Sequence, residues 1–96
     1  MLPVVYMPAA EKYFKKLKDK PLKEKFKISI EEIRKNPYYG KYKKGDLEGI
    51  MAVDVYHNKI NYEIAYRVSM LENGEIIVII MAGTRENFYK ELKRYL

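Results

Sequence analysis

Apolar and polar positions along the chain switch between helical and strand spacing. Val4 to Met7 form a short apolar run ending at Pro8, which reads as a first strand leading into a helix or the loop before one. Ala10, Tyr13, Phe14 and Leu17 then recur at helical spacing, while Lys12, Lys15, Lys16 and Lys18 fall mostly elsewhere, as an amphipathic helix requires. Pro21 suits the first turn of a second helix, on which Leu22, Phe26, Ile30 and Ile33 share one narrow arc. That helix should stop at Asn36, because the residue before Pro37 is pushed out of helical backbone. Residues 37–47, PYYGKYKKGDL, follow neither period and read as a loop.

From about Ile50 the period becomes two. Met51, Val53 and Val55 alternate with Ala52, Asp54 and Tyr56. HNK, His57 to Lys59, turns the chain, and Ile60, Tyr62, Ile64, Tyr66 and Val68 then alternate with Asn61, Glu63, Ala65 and Arg67. Asn73-Gly74 is a hairpin signal ahead of the apolar run Ile76 to Ala82, and a short helix closes the chain. The order βααβββα predicts an α+β domain spanning residues 1–96, with an antiparallel sheet packed on two helices. If the Ile60 to Val68 set faces those helices, Glu63 and Arg67 share the opposite face with Asp54, and carboxylates line an open surface.

Composition narrows the chemistry. The chain has 96 residues, enough for one core. With no cysteine and one histidine, it offers neither a thiolate zinc site nor a histidine-rich one, so any catalysis is expected to need no metal or cofactor. No apolar run reaches about 18 residues and no charged-then-apolar leader is present, which leads to the expectation of a soluble, cytoplasmic protein without a membrane partner. Nineteen Lys and Arg against thirteen Asp and Glu give a net charge of +6, which favours polyanionic partners or simply a solvated basic surface.

Two segments resemble a known family. NYEIAYRV, residues 61–68, is similar to the central strand of the RelE/ParE toxin superfamily of toxin–antitoxin pairs, written as an aromatic, an arginine, two aliphatics and a tyrosine. GTRENFY, residues 83–89, resembles its closing signature of a glycine, a basic residue and a tyrosine on the final helix. The likeness spans nearly the whole chain. It implies an endoribonuclease that cuts mRNA in the ribosomal A site, with an antitoxin as its partner and inhibitor. The closing signature carries its functional residues onto Arg85 and Tyr89. On the sheet the chain departs from the pattern: the strand arginine falls on Glu63, and a strand lysine falls near Asp54. Some relatives use carboxylates and histidines instead, and the ParE branch poisons DNA gyrase without nuclease residues, so a gyrase poison and a plain RNA-binding module stand as the alternatives.

Metal-free RNA cleavage needs a base for the 2′-OH, an acid for the leaving 5′-oxygen and fixed positive charge on the phosphate. Arg85 suits the charge role, and Tyr89, four residues on, should rise from the same helix face to bond the phosphate or stack on a base. Glu63 is the better base candidate and Asp54 a second. A plain cross-strand ion pair of Glu63 with Arg67 or a lysine is the favoured alternative, and a structural role is favoured more strongly still for Asp54. His57 offers an imidazole as acid or base but reads as a turn residue. Lys41, Lys43 and Lys44, interleaved with Tyr38, Tyr39 and Tyr42, form a candidate RNA-binding patch, with Arg67 a further cation on the sheet.

Overall fold

The computed structural model describes residues 1–86 and 88–96. Strand β1 (Val4–Tyr6) runs into helix α1 (Pro8–Lys16), whose first position is the proline. Helix α2 (Lys20–Lys35) begins where the Asp19 carboxylate accepts the Leu22 N–H at 3.1 Å, satisfying one of the free donors of the first turn. It ends at Asn36, ahead of Pro37. Then come β2 (Lys41–Tyr42), a 3-10 turn at Gly45–Leu47, the meander β3 (Met51–His57), β4 (Ile60–Leu71) and β5 (Gly74–Thr84), and helix α3 (Phe88–Leu92).

The sheet order is β1-β5-β4-β3-β2. It is antiparallel from β2 to β5, and β1 joins the free edge of β5 in parallel, Val4 opposite Ile77 and Tyr6 opposite Ile79. Within the stretch that reads as a loop, Lys41 and Tyr42 pair with Ala52 and Met51, a strand too short to carry a period of its own. The β3–β4 turn is narrower than HNK: Asn58 and Lys59 alone take positive φ, 49° and 65°, as a two-residue hairpin turn of matching twist demands. His57 is therefore the last residue of β3.

One face of the sheet packs on α1 and α2. Met51, Val53, Val55, Ile64, Tyr66, Ile77, Ile79 and Ala82 meet Ala10, Leu22, Phe26, Ile30 and Ile33 there. The other face is not open throughout. Ala65, Val78, Ile80 and Met81 are covered by Phe88 and Leu92 of α3 and by Leu47 and Ile50, a second cluster. A register shift between Ala65 and Tyr66 leaves Ile80 without an opposite residue, so Ile80 and Met81 both join this second cluster. The expected carboxylate-lined open surface is corrected by this cover. Asp54 remains exposed, whereas Glu63, its cross-strand partner, is 1% exposed.

Candidate active-site cleft

The cleft is built where β3, β4, the β5–α3 connection and the loop before β3 converge. The Asp54–Glu63 pairing puts two carboxylates side by side on the face away from α1 and α2. Beyond β5 the chain keeps contact with β4 for one more bond, Arg85 N–H to the Asn61 carbonyl at 2.9 Å. The Arg85 carbonyl then accepts the Phe88 N–H at 3.1 Å, and α3 starts there. Arg85 thus precedes the helix instead of sharing a helix face with Tyr89. Phe88, 1% exposed, inserts into the second cluster, and the Tyr89 ring stands edge-on to it at 5.4 Å.

Glu63 joins the two signature residues. Its Oε2 accepts the Tyr89 hydroxyl at 2.6 Å, and its Oε1 lies 3.3 Å from Arg85 Nε. This buried carboxylate accepts one hydrogen bond from Tyr89 and is paired in charge with Arg85, the condition under which such a charge is tolerated. The Arg85 side chain is 56% exposed, so its unengaged guanidinium edge faces solvent. Burial, then the Glu63 hydrogen bond and charge, push the Tyr89 phenol well above its usual range, with Arg85 opposing them. Tyr89 is therefore a neutral hydroxyl throughout the neutral pH range. Lys43 Nζ sits 4.8 Å from the centre of its ring, a cation–π contact.

Tyr39, Lys41, Lys43, Asp54, Arg85 and Tyr89 line a cleft of about 320 Å³ over Glu63. A residue-family model settles what kind of chain builds it: the model for ParE-like toxins of type II bacterial toxin–antitoxin systems matches residues 4–93. The chain belongs to this family. Among solved structures, the ParE-like chain is similar to a mutant of the E. coli toxin RelE in the free state, at 15% identity and a TM-score of 0.72, covering 98% of this chain and 92% of that one. It is similar also to the YoeB/ParE toxin from Agrobacterium tumefaciens (18% identity, TM-score 0.70, 88% and 99% covered). A third likeness is to the intact E. coli RelBE toxin–antitoxin complex (16% identity, TM-score 0.68, 86% and 95% covered). At these identities the likeness establishes the fold. No curated protein sequence matches significantly.

Of the candidates read from the sequence, the ParE-like fold brings together Arg85, Tyr89, Glu63, Asp54, Lys41 and Lys43. Lys44 is exposed at the start of the 3-10 turn, outside the cleft lining. Arg67 lies four residues along β4 from Glu63, roughly 13 Å at the usual strand rise, with Nε 3.4 Å from Ser69 Oγ. His57 is buried on the helix side, its Nε2 3.2 Å from Asp19 Oδ2, so it braces the start of α2 and does not meet the cleft.

Proposed function

We propose that this ParE-like toxin is a metal-independent endoribonuclease that cleaves mRNA at the ribosome and is silenced by a cognate antitoxin. The observation that carries the reading is the Glu63 fork, which holds Arg85 and Tyr89 at one edge of a cleft whose other side bears Lys41 and Lys43. Three cations round a cleft with one solvent-facing carboxylate match the demands of phosphodiester cleavage.

In this reading Asp54, exposed beside the fork, takes the proton of the 2′-OH. The 2′-oxygen attacks phosphorus and the bond from phosphorus to the 5′-oxygen breaks. The Arg85 guanidinium, anchored through Nε and free at its outer edge, holds the charge that builds on the non-bridging oxygens. A Lys41 or Lys43 ammonium supplies the proton to the departing 5′-oxygen, leaving a 2′,3′-cyclic phosphate and a 5′-hydroxyl. Glu63 orients Arg85 and Tyr89 from beneath. Its burial and its two occupied oxygens suit that role better than direct proton abstraction. The Tyr89 ring, with Lys43 over it, becomes a base platform when that ammonium turns to a phosphate. The antitoxin reading is supported by the family, by the likeness to a toxin–antitoxin complex, and by a net charge of +6 that suits an acidic, partly apolar partner segment.

The test is cleavage of mRNA on programmed ribosomes, with product ends analysed for cyclic phosphate. Asp54→Asn should lower the rate by about 10² to 10⁴ while leaving the fold intact, because Asp54 is exposed. A second reading follows from the ParE-like family match itself and from the carboxylates at Asp54 and Glu63: inhibition of DNA gyrase without cleavage. Intact RNA together with blocked supercoiling in a parallel gyrase assay would replace the nuclease reading with that one.

A further inference from the structure

The cleft wall that carries Tyr39, Lys41 and Lys43 is fastened by a hydroxyl from the opposite side of the sheet. Tyr66 is fully buried, with its ring in the helix-side core. Its Oη nevertheless reaches the chain before β2, donating to the Pro37 carbonyl at 2.9 Å and accepting the Gly40 N–H at 2.9 Å. One phenol thereby uses its donor and an acceptor site on the same short segment. The approach is close enough to select glycine. A Cβ on Gly40 would lie 2.8 Å from Tyr66 Oη and 3.0 Å from the Ala52 carbonyl oxygen, the second a backbone atom that cannot step aside.

Beyond Gly40 the chain has only two ladder residues, Lys41 opposite Ala52 and Tyr42 opposite Met51, and then the Lys43 N–H donates to the Ile50 carbonyl at 2.8 Å. A two-residue edge strand has little stability of its own. The segment is thus tied at Lys43 by the backbone and at Gly40 by the tyrosine. We propose that Tyr66 is a positioning residue for nucleic-acid binding: its hydroxyl sets the height of the 37–43 segment over β3, and so where Lys41 and Lys43 meet RNA phosphates. This rests on the RNA reading of the cleft and adds the device that presents its cations. Phenylalanine at this position keeps the core ring but leaves the half-buried Pro37 carbonyl and Gly40 N–H to water, which frees the segment from its tie to the sheet.

The experiment measures salt-dependent binding of a single-stranded RNA made non-cleavable by a 2′-deoxy substitution, alongside exchange of the Gly40 amide hydrogen. Four chains are compared: wild type, Tyr66→Phe, Lys41→Ala/Lys43→Ala, and the triple variant. Tyr66→Phe should weaken binding by about tenfold, the scale of one or two hydrogen bonds, and deprotect the Gly40 amide. In the background lacking both lysines the same change should cost less than about twofold, because the residue acts through them. Gly40→Ala, which pushes the segment away from an intact Tyr66, should reproduce the loss. A merely structural tyrosine would lower the folded fraction equally in both backgrounds. Equal losses in the two backgrounds, unchanged affinity in Tyr66→Phe, or no RNA binding by the wild type would each overturn the proposal. Wild type that binds this RNA yet leaves cleavable mRNA intact would defeat the nuclease reading and leave the anchor standing.

Discussion

Exchanging Glu63 for glutamine removes a charge at almost constant volume and separates a clamp from a general base. In the native fold Oε2 accepts from Tyr89 at 2.6 Å and Oε1 faces Arg85 Nε at 3.3 Å. Glutamine keeps one acceptor and turns two donors toward either the phenol or the guanidinium. The phenol can reverse and accept, so what is lost there is charge assistance, part of the about 1.5–3 kcal/mol that a hydrogen bond to an ion contributes. The Arg85 pair adds no more than about 0–1 kcal/mol, since its side chain is 56% exposed. Relief from burying a carboxylate offsets some of both. The net expectation is a loss of about 1–2 kcal/mol, which lowers Tm by about 4–16 °C in a domain of this size. The Tyr89 phenol, held up chiefly by burial and then by Glu63, should titrate at lower pH in the variant, as followed by NMR of tyrosine labelled at Cζ. Cleavage should fall with it. A variant with native Tm and native Tyr89 titration, but a rate down by about 10² to 10⁴, would refute the clamp and make Glu63 the base.

Arg85→Ala should keep the fold, at the cost of leaving the buried Glu63 carboxylate with Tyr89 alone, yet reduce cleavage by about 10² to 10³; a rate near that of wild type would remove Arg85 from the chemistry. Lys43→Ala should flatten the salt dependence of RNA binding by about one unit of slope while Lys44→Ala leaves it unchanged, and equal slopes in the two variants would contradict the boundary of the cleft. Tyr13, Tyr66 and Tyr89 all have phenols raised above the ordinary value of 10.0, with burial the first cause in each. Because the fold favours the neutral form, their contribution is complete below the unfolded value and disappears as pH rises through the folded ones. Urea midpoints should therefore hold up to about pH 10 and fall above it, and a flat profile to pH 11.5 would refute the assignment.

Helix faces and the central strands were legible because each buries residues at its own period, and the arc Leu22, Phe26, Ile30, Ile33 is entirely buried on α2. The alternation of β3 even predicts the fate of His57, which continues the Met51, Val53, Val55 series onto the helix side; the expectation of a turn there came from giving weight to Asn58 and Lys59 one residue too early. Glu63 was legible in its facing but not in its depth. The groups that meet its carboxylate, Arg85 and Tyr89, lie more than twenty residues later in the chain, and no local pattern encodes that. The spacing of Arg85 and Tyr89 suggested a shared helix face, whereas they meet through a third residue from another element. The Tyr66 anchor was likewise out of reach, since Gly40 reads as any loop glycine until a hydroxyl is found 2.9 Å from its amide.

The parallel edge formed by β1 has a kinetic consequence. Residues 4–6 find their partners only at residues 77–79, while β3, β4 and β5 pair with sequence neighbours across short turns. Contacts of long sequence separation carry the larger loop-closure cost and tend to form late. The meander is therefore expected to assemble first as the chain emerges from synthesis, with the β1 edge closing afterwards. Arg85 and Tyr89 arrive later still, after all three meander strands have been made. A nascent chain up to residue 80 can thus carry most of a sheet and none of this cleft, which closes only once residues 85–89 have been made.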